Sequence, residues 1–131
     1  MSEPVRPALI LAVDDDPRMC TLYQRCLGGV FRVSCAESAE EAARLIRITA
    51  FDAVISDLQM PGHNGLWLLG AVRDHLPGAM RILVSGCRSS DLHAHMDSGL
   101  IQHFLAKPFQ PRDLFSLLVA GGLSSRPCAG R

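Results

Sequence analysis

Short apolar runs alternate with helical patterns along the chain, and this alternation limits the possible fold more than any other feature. The runs lie at 8–13, 30–33, 53–55, 82–84 and 104–106, and their length suits strands. Strands that are apolar on both faces and separated by helices predict a parallel sheet covered by helices on both sides. We therefore predict an α/β fold, a three-layer sandwich in which five helices flank a five-stranded parallel sheet with strand order 2-1-3-4-5.

Local signals define where several of the helices begin and end. Asp16 is placed as an N-cap before Pro17, and Gly28 follows the last apolar residue of that helix. Ser38 opens the second helix with a capping-box pattern, and Asn64 is the expected N-cap of the third. These caps predict three helices whose start positions do not depend on distant contacts.

The segment 88–99 carries the weakest helical pattern. Leu92 and Met96 are its main apolar residues, and His93, His95 and Asp97 surround them. A helix with so little apolar surface gains little from burial, so we expect this helix to be the least firmly docked.

Length and charge exclude several classes of protein. The 131 residues suit one domain, which we place at 1–122, with 123–131 as a flexible tail or the start of a linker. Thirteen basic and thirteen acidic residues balance, so we expect no direct binding to nucleic acid by this domain and none to a membrane surface. The sequence shows neither a membrane span nor a signal peptide, which predicts a cytoplasmic protein.

The cysteines do not form a recognisable framework. There are five, an odd number without CxxC spacing, at Cys20, Cys26, Cys35, Cys87 and Cys128. In a reducing compartment this pattern favours small buried thiols over disulfides or a zinc site.

Polar residues follow all but one of the predicted strands. Asp14 and Asp15 follow the first strand, Asp57 the third and Lys107 the fifth, while Ser85 ends the fourth. Ligands of open parallel sheets bind beyond the carboxyl ends of the strands, where the strand order reverses. With the predicted order, three carboxylates meet there beside a hydroxyl and an ammonium group.

Crowded carboxylates either take up protons or are held ionised by a cation. Mg²⁺ suits such a site because it prefers hard oxygen ligands and is commonly shared between one or two carboxylates and a phosphate. A carboxylate that is free to attack phosphorus would form an acyl phosphate, and Lys107 and Ser85 would then shield the phosphoryl oxygens.

The sequence resembles the receiver domains of bacterial two-component response regulators, CheY-like domains with a flavodoxin-like fold, over roughly residues 8–120. Four motifs carry the resemblance, in order and at the family's spacing: Val13-Asp14-Asp15-Asp16-Pro17, Ser56-Asp57-Leu58-Gln59-Met60-Pro61-Gly62 with Gly65, Val84-Ser85-Gly86, and Phe104-Leu105-Ala106-Lys107-Pro108-Phe109.

The resemblance implies a role for each residue at the strand ends. It implies that Asp57 is the phosphoacceptor, that Asp15 and Asp57 bind Mg²⁺ or Mn²⁺ directly, and that Asp14 acts mostly through a metal-bound water. The main-chain carbonyl of Gln59 completes the implied protein ligands, and Lys107 pairs with the phosphoryl group.

The family also suggests a switch. Ser85 would move toward the phosphoryl group, Phe104 would turn inward, and the face made by the fourth helix, fifth strand and fifth helix would change its partner binding. Lys107-Pro108 is expected to be a cis peptide. Phe104 stands where tyrosine is common, so only the packing half of this mechanism transfers.

The leading interpretation is a phosphorelay switch that catalyses only its own aspartyl phosphorylation and dephosphorylation and is otherwise not an enzyme. Its implied partners are a sensor histidine kinase or phosphotransfer protein and a downstream protein or fused output domain, with a homodimer possible. A haloacid dehalogenase-type phosphatase is an alternative because Asp14 and Asp16 form a D-x-D, although Pro17-Arg18 follows where that family places a Thr. A constitutive interaction module with an unused site is another.

Overall fold

The computed structural model describes residues 7–86 and 91–123 and contains a parallel sheet of five strands in the order β2-β1-β3-β4-β5. The elements alternate along the chain and have these bounds: β1 Leu9–Val13, α1 Pro17–Leu27, β2 Arg32–Ala36, α2 Ala39–Ile48, β3 Ala53–Asp57, α3 Gly65–His75, β4 Met80–Ser85, α4 Asp91–Asp97, β5 His103–Ala106 and α5 Pro111–Ala120. The predicted fold class and strand order are confirmed.

Two apolar layers cover the sheet. Side chains of alternate sheet residues pack with α2, α3 and α4 on one face and with α1 and α5 on the other. The central strands β3 and β4 are buried along their whole length. Burial on both faces explains why these strands read as continuous apolar runs.

The local caps form largely as predicted. The side chains of Asp16, Ser38 and Asn64 accept hydrogen bonds from main-chain N–H groups two or three residues ahead, at 2.9, 3.0 and 3.0 Å. The capping box of α2 differs in one respect, because the Glu41 carboxylate accepts the N–H of Glu37. These bonds satisfy N–H groups that the first helical turn leaves without partners.

Two details of the sequence prediction are corrected. The second strand, predicted at 30–33, lies at Arg32–Ala36, because the N–H groups of Val30 and Phe31 bond to the carbonyl of Leu27 and extend the turn after α1. Met96, predicted as an anchor of the fourth helix, is 41% exposed.

The predictions on the cysteines, the C-terminal segment and membrane spans can be compared with the structure only within the described residues. Cys20, Cys26 and Cys35 are free thiols; Cys20 is buried as predicted, whereas Cys26 and Cys35 are half-buried. Cys87, Cys128 and the segment 124–131 lie outside the part of the chain that the structure describes. Within residues 7–86 and 91–123, no helix has both the length and the apolar character that crossing a bilayer requires.

Candidate functional site

The register of the sheet brings the predicted site residues to one edge. Val13 pairs with Ser56, so Asp14 lies beside Asp57, and Asp57 pairs in turn with Val84. Ser85 pairs with Ala106, so Lys107 follows next to the end of β4. Parallel strands end on the same side of a sheet, and this places polar residues from four strands around one crevice.

Three carboxylates converge in this crevice. One oxygen from each of Asp14, Asp15 and Asp57 lies within 4.8 Å of the other two. Asp14 is 1% exposed and Asp57 9%, whereas Asp15 faces solvent. Hard carboxylate oxygens at this separation suit a small divalent cation such as Mg²⁺, and an exposed third carboxylate leaves the ion a path from solvent.

Lys107 reaches the same carboxylates from the end of β5. Its Nζ atom lies 3.0 Å from Oδ2 of Asp14 and 3.6 Å from Oδ1 of Asp57. Its N–H donates to the main-chain oxygen of Ser85 at 2.9 Å, and the following Lys107-Pro108 peptide is cis, as expected. The positive charge of the ammonium group therefore compensates part of the negative charge of these two buried carboxylates.

Both oxygens of Asp14 are engaged. Oδ1 accepts the N–H of Asp16 at 2.9 Å, and Oδ2 accepts from Lys107. Asp16 itself caps α1 and pairs with Arg18 at 2.9 Å on the surface. A D-x-D pair in which Asp16 serves as a helix cap offers little support for a phosphatase site.

The pKa values of Asp57 and Lys107 are both raised, but for different reasons. Burial raises the pKa of Asp57 above the ordinary range of an aspartate; the Lys107 charge opposes this effect and the Asp14 charge adds to it. Burial alone would lower the pKa of Lys107, but the hydrogen bond and charge of Asp14 and the charge of Asp57 raise it overall. The surroundings of Asp57 therefore compensate its negative charge only in part.

Two residues that sequence reasoning did not assign to the site lie against the main-chain carbonyl of Asp57. The buried Ser56 hydroxyl donates to the carbonyl of Asp57 at 2.9 Å. Gly65, the first residue of α3, approaches so closely that a Cβ there would overlap the same carbonyl oxygen. A glycine at the first helical position, after the turn that follows Asp57, was the available signal.

The remaining predicted residues are Ser85, Gln59 and Phe104. Ser85 is buried at the end of β4, and Gln59 is exposed two residues after Asp57. Phe104 is half-buried and packs against the apolar layer shared by α2, α3 and α4, across the sheet from the α1 and α5 side. The structure thus brings Asp14, Asp15, Asp57 and Lys107 together, while the chemical roles of all the predicted residues stay predictions.

Comparisons with known proteins agree with this geometry. Residues 10–119 match a family model described as the response regulator receiver domain. The hydrogenase transcriptional regulatory protein HoxA of Cupriavidus necator is 34% identical over 110 residues, which are 83% of this chain and 23% of HoxA. The response regulator protein FleR of Pseudomonas aeruginosa is 31% identical over 121 residues, 92% of this chain and 26% of FleR. This chain therefore spans about a quarter of the length of these two relatives.

Solved structures show the same fold. A CheY-like response regulator receiver domain protein from Methanospirillum hungatei has a TM-score of 0.82 and 26% identity, covering 87% of this chain and 92% of that one. The response regulator protein TrrA from Thermotoga maritima, solved in complex with Mg²⁺-BeF, has a TM-score of 0.76 and 28% identity. The match covers 87% of this chain and 98% of that one.

Proposed function

This chain belongs to the family of response regulator receiver domains, and we propose that Asp57 is its phosphoacceptor within a phosphorelay. The phosphoryl donor would be a sensor histidine kinase or a phosphotransfer protein. The convergence of Asp14, Asp15 and Asp57 with Lys107 at one edge of the sheet carries this proposal. Asp57 suits the role because it belongs to this group and ends a strand that is buried along its whole length.

The proposed transfer forms one bond and breaks one. An oxygen of the Asp57 carboxylate attacks the donor's phosphorus, the bond from phosphorus to the donor breaks, and the electron pair leaves with the donor. Ser56 donates to the Asp57 carbonyl, Gly65 allows α3 to start close to it, and Lys107, 3.6 Å from Asp57, would pair with a phosphoryl oxygen. Positioning and charge neutralisation are the main requirements of phosphoryl transfer, and these residues supply both.

The divalent ion would be Mg²⁺ or Mn²⁺. We propose Asp15, Asp57 and the main-chain carbonyl of Gln59 as direct ligands, and Asp14 as a ligand through water, because both Asp14 oxygens already accept hydrogen bonds. When bound, the ion supplies positive charge against the phosphoryl oxygens.

We further propose that phosphorylation changes partner binding on the face made by α4, β5 and α5. Ser85 would approach the phosphoryl group and Phe104 would move deeper into the layer it already contacts. The relatives are longer transcriptional and response regulators, so the downstream partner would be a fused output domain or a separate protein, with a homodimer as one possible assembly. A cytoplasmic location follows from the proposed donors.

Labelling with acetyl phosphate tests the phosphoacceptor. We expect Mg²⁺-dependent, stoichiometric modification, measured by intact mass, which EDTA and the Asp57→Asn substitution abolish. Asp74→Asn is the matched control, because Asp74 is an exposed carboxylate on α3 away from the cluster. Undiminished labelling of the Asp57→Asn protein would contradict the proposal, and steady turnover of p-nitrophenyl phosphate would favour a phosphatase.

A further inference from the structure

Arg81 is a cation inside the sheet and lies outside the site described above. It is the second residue of β4 and is 6% exposed. Among the side chains that the structure describes, no carboxylate lies within ion-pair distance of its guanidinium group. Burial lowers the pKa of Arg81, and the charge of Arg73 adds to this effect. A cation in such a place needs strong acceptors, since an uncompensated buried charge is costly.

Main-chain carbonyl oxygens provide the acceptors. Nε donates to Leu100 at 2.9 Å and Nη2 to Gly99 at 2.9 Å, while Nη1 donates to Ala79 at 3.3 Å. Gly99 and Leu100 belong to the connection from α4 to β5, whereas Ala79 precedes β4. The guanidinium group therefore joins the chain after α4 to the start of β4.

The main chain of Arg81 is attached to the same connection. Its N–H donates to Oε1 of Gln102 at 2.8 Å, and its carbonyl accepts the N–H of Gln102 at 3.0 Å. Gly99 has a φ of +82°, a left-handed conformation that lets the chain turn sharply from α4 toward β5. The end of α4 is thus fixed in both direction and position.

The rest of α4 is held less firmly. Leu92 is its buried residue among those whose side chains are described, while Ala94, Met96 and Asp97 are exposed. Leu92 is the second residue of α4, at the end of the helix that follows the carboxyl end of β4 and Ser85 along the chain. Arg81 lies four residues before Ser85, about 13 Å away along the strand.

We propose that Arg81 is a positioning residue that fixes the C-terminal end of α4, so that α4 is released from the end nearest the phosphorylation site. The part of this proposal in which phosphorylation releases α4 rests on the proposed function. The attachment of the C-terminal end of α4 by Arg81 is independent of it, because every contact that holds this end is present without phosphorylation. Arg81 thereby decides which end of the switching face moves and which stays attached to the sheet.

Hydrogen exchange in the unphosphorylated full chain tests the fixed end. We expect Arg81→Met to accelerate amide exchange at Gly99, Leu100 and Ile101 about tenfold or more, because hydrogen bonds to a charged group are lost there. Amides of β1 and β3 should keep their wild-type rates. The matched control is Arg73→Met, which removes a neighbouring charge from an exposed position on α3. Equal rates at residues 99–101 in the two variants, or a uniform loss of protection across the sheet, would overturn the proposal.

A measurement on the wild-type protein decides the question even if Arg81→Met does not fold. We expect the amides of Leu100 and Ile101 to exchange more slowly than that of Met96 in α4, because the helix should open from its first turn. The reverse order would refute the fixed end.

Adding Mg²⁺ and beryllium fluoride, a phosphoryl analogue, tests the signal. The change in exchange should stay within α4 in the wild type and extend to residues 99–101 in Arg81→Met. If neither protein responds, the proposed function fails, while the comparison in the unphosphorylated protein still decides the role of Arg81.

Discussion

Replacing Lys107 with methionine tests the electrostatic balance of the site most directly. The substitution keeps an unbranched side chain one atom shorter than lysine and removes the charge that lies 3.0 Å from Asp14 and 3.6 Å from Asp57. Asp14 is almost completely buried, and in the variant the N–H of Asp16 would be the remaining hydrogen-bond partner of its carboxylate. We expect the free energy of unfolding to fall in metal-free buffer at neutral pH.

The size of the loss follows from distance and exposure. Two unit charges 3.0 Å apart interact by about 5.5 kcal/mol at an effective dielectric constant of about 20. The cost of desolvating the lysine offsets part of this energy, and its side chain is 26% exposed, so solvent screens the pair. A net loss of about 3 kcal/mol is the result we expect, near the lower limit for breaking a buried pair.

The loss should depend on pH at the alkaline end of the range. Lys107 has a raised pKa in the folded state, so its contribution is complete below the unfolded value near 10.4 and is lost as the pH rises through the folded value. The difference between the variant and the wild type should therefore be fully present at neutral pH and disappear in strongly alkaline buffer.

Urea unfolding followed by circular dichroism measures this loss. Lys107→Met should be repeated in an Asp14→Asn background, where the loss should shrink by about 2 kcal/mol because the pair no longer exists. Addition of Mg²⁺ should restore part of the stability of the single variant by neutralising the remaining carboxylates. A loss below about 1 kcal/mol, or an equal loss in both backgrounds, would refute the reasoning.

Three further predictions concern neighbouring residues. Asp57→Asn should raise the free energy of unfolding of the metal-free protein by about 1 kcal/mol at pH 7, because burial raises the pKa of Asp57 and its charged form therefore destabilises the fold. This gain should disappear as the pH falls below the unfolded pKa of about 3.9, and a variant less stable than wild type at pH 7 would contradict it. Tyr23→Phe should leave stability unchanged or raise it by up to about 1 kcal/mol in thermal unfolding, because the buried Tyr23 hydroxyl has no hydrogen-bond partner among the described residues; a loss above 1 kcal/mol would show that it has one. Gly65→Ala should cost about 2 kcal/mol and slow labelling of Asp57, since a Cβ would overlap the Asp57 carbonyl, whereas Gly29→Ala, with open space around it, should do neither.

The caps and the site positions were predictable because each depends on short-range chemistry or on strand direction alone. Asp16, Ser38 and Asn64 accept hydrogen bonds from N–H groups two or three residues away, so the local sequence contains both partners. The convergence of Asp14, Asp57 and Lys107 needed the inference that the strands are parallel, share one carboxyl edge and follow the order 2-1-3-4-5.

Other features could not be predicted because their partners are distant or lie in the main chain. The boundary of β2 depended on hydrogen bonds from Val30 and Phe31 back to Leu27, which compete with the strand for the same residues. Met96 fitted an apolar helical pattern, yet its exposure was decided by where α4 lies on the sheet.

The sequence by itself determined the alternation of strands and helices, the starts of the capped helices and the polar residues that follow the strands. The tertiary structure alone decided that Lys107 donates to Oδ2 of Asp14, among the three carboxylates, and that Arg81 binds the chain after α4. The physical reason is that side-chain pattern specifies burial and direction, whereas carbonyl oxygens carry no residue identity. An arginine that bonds to them therefore finds its partners only when the chain is folded.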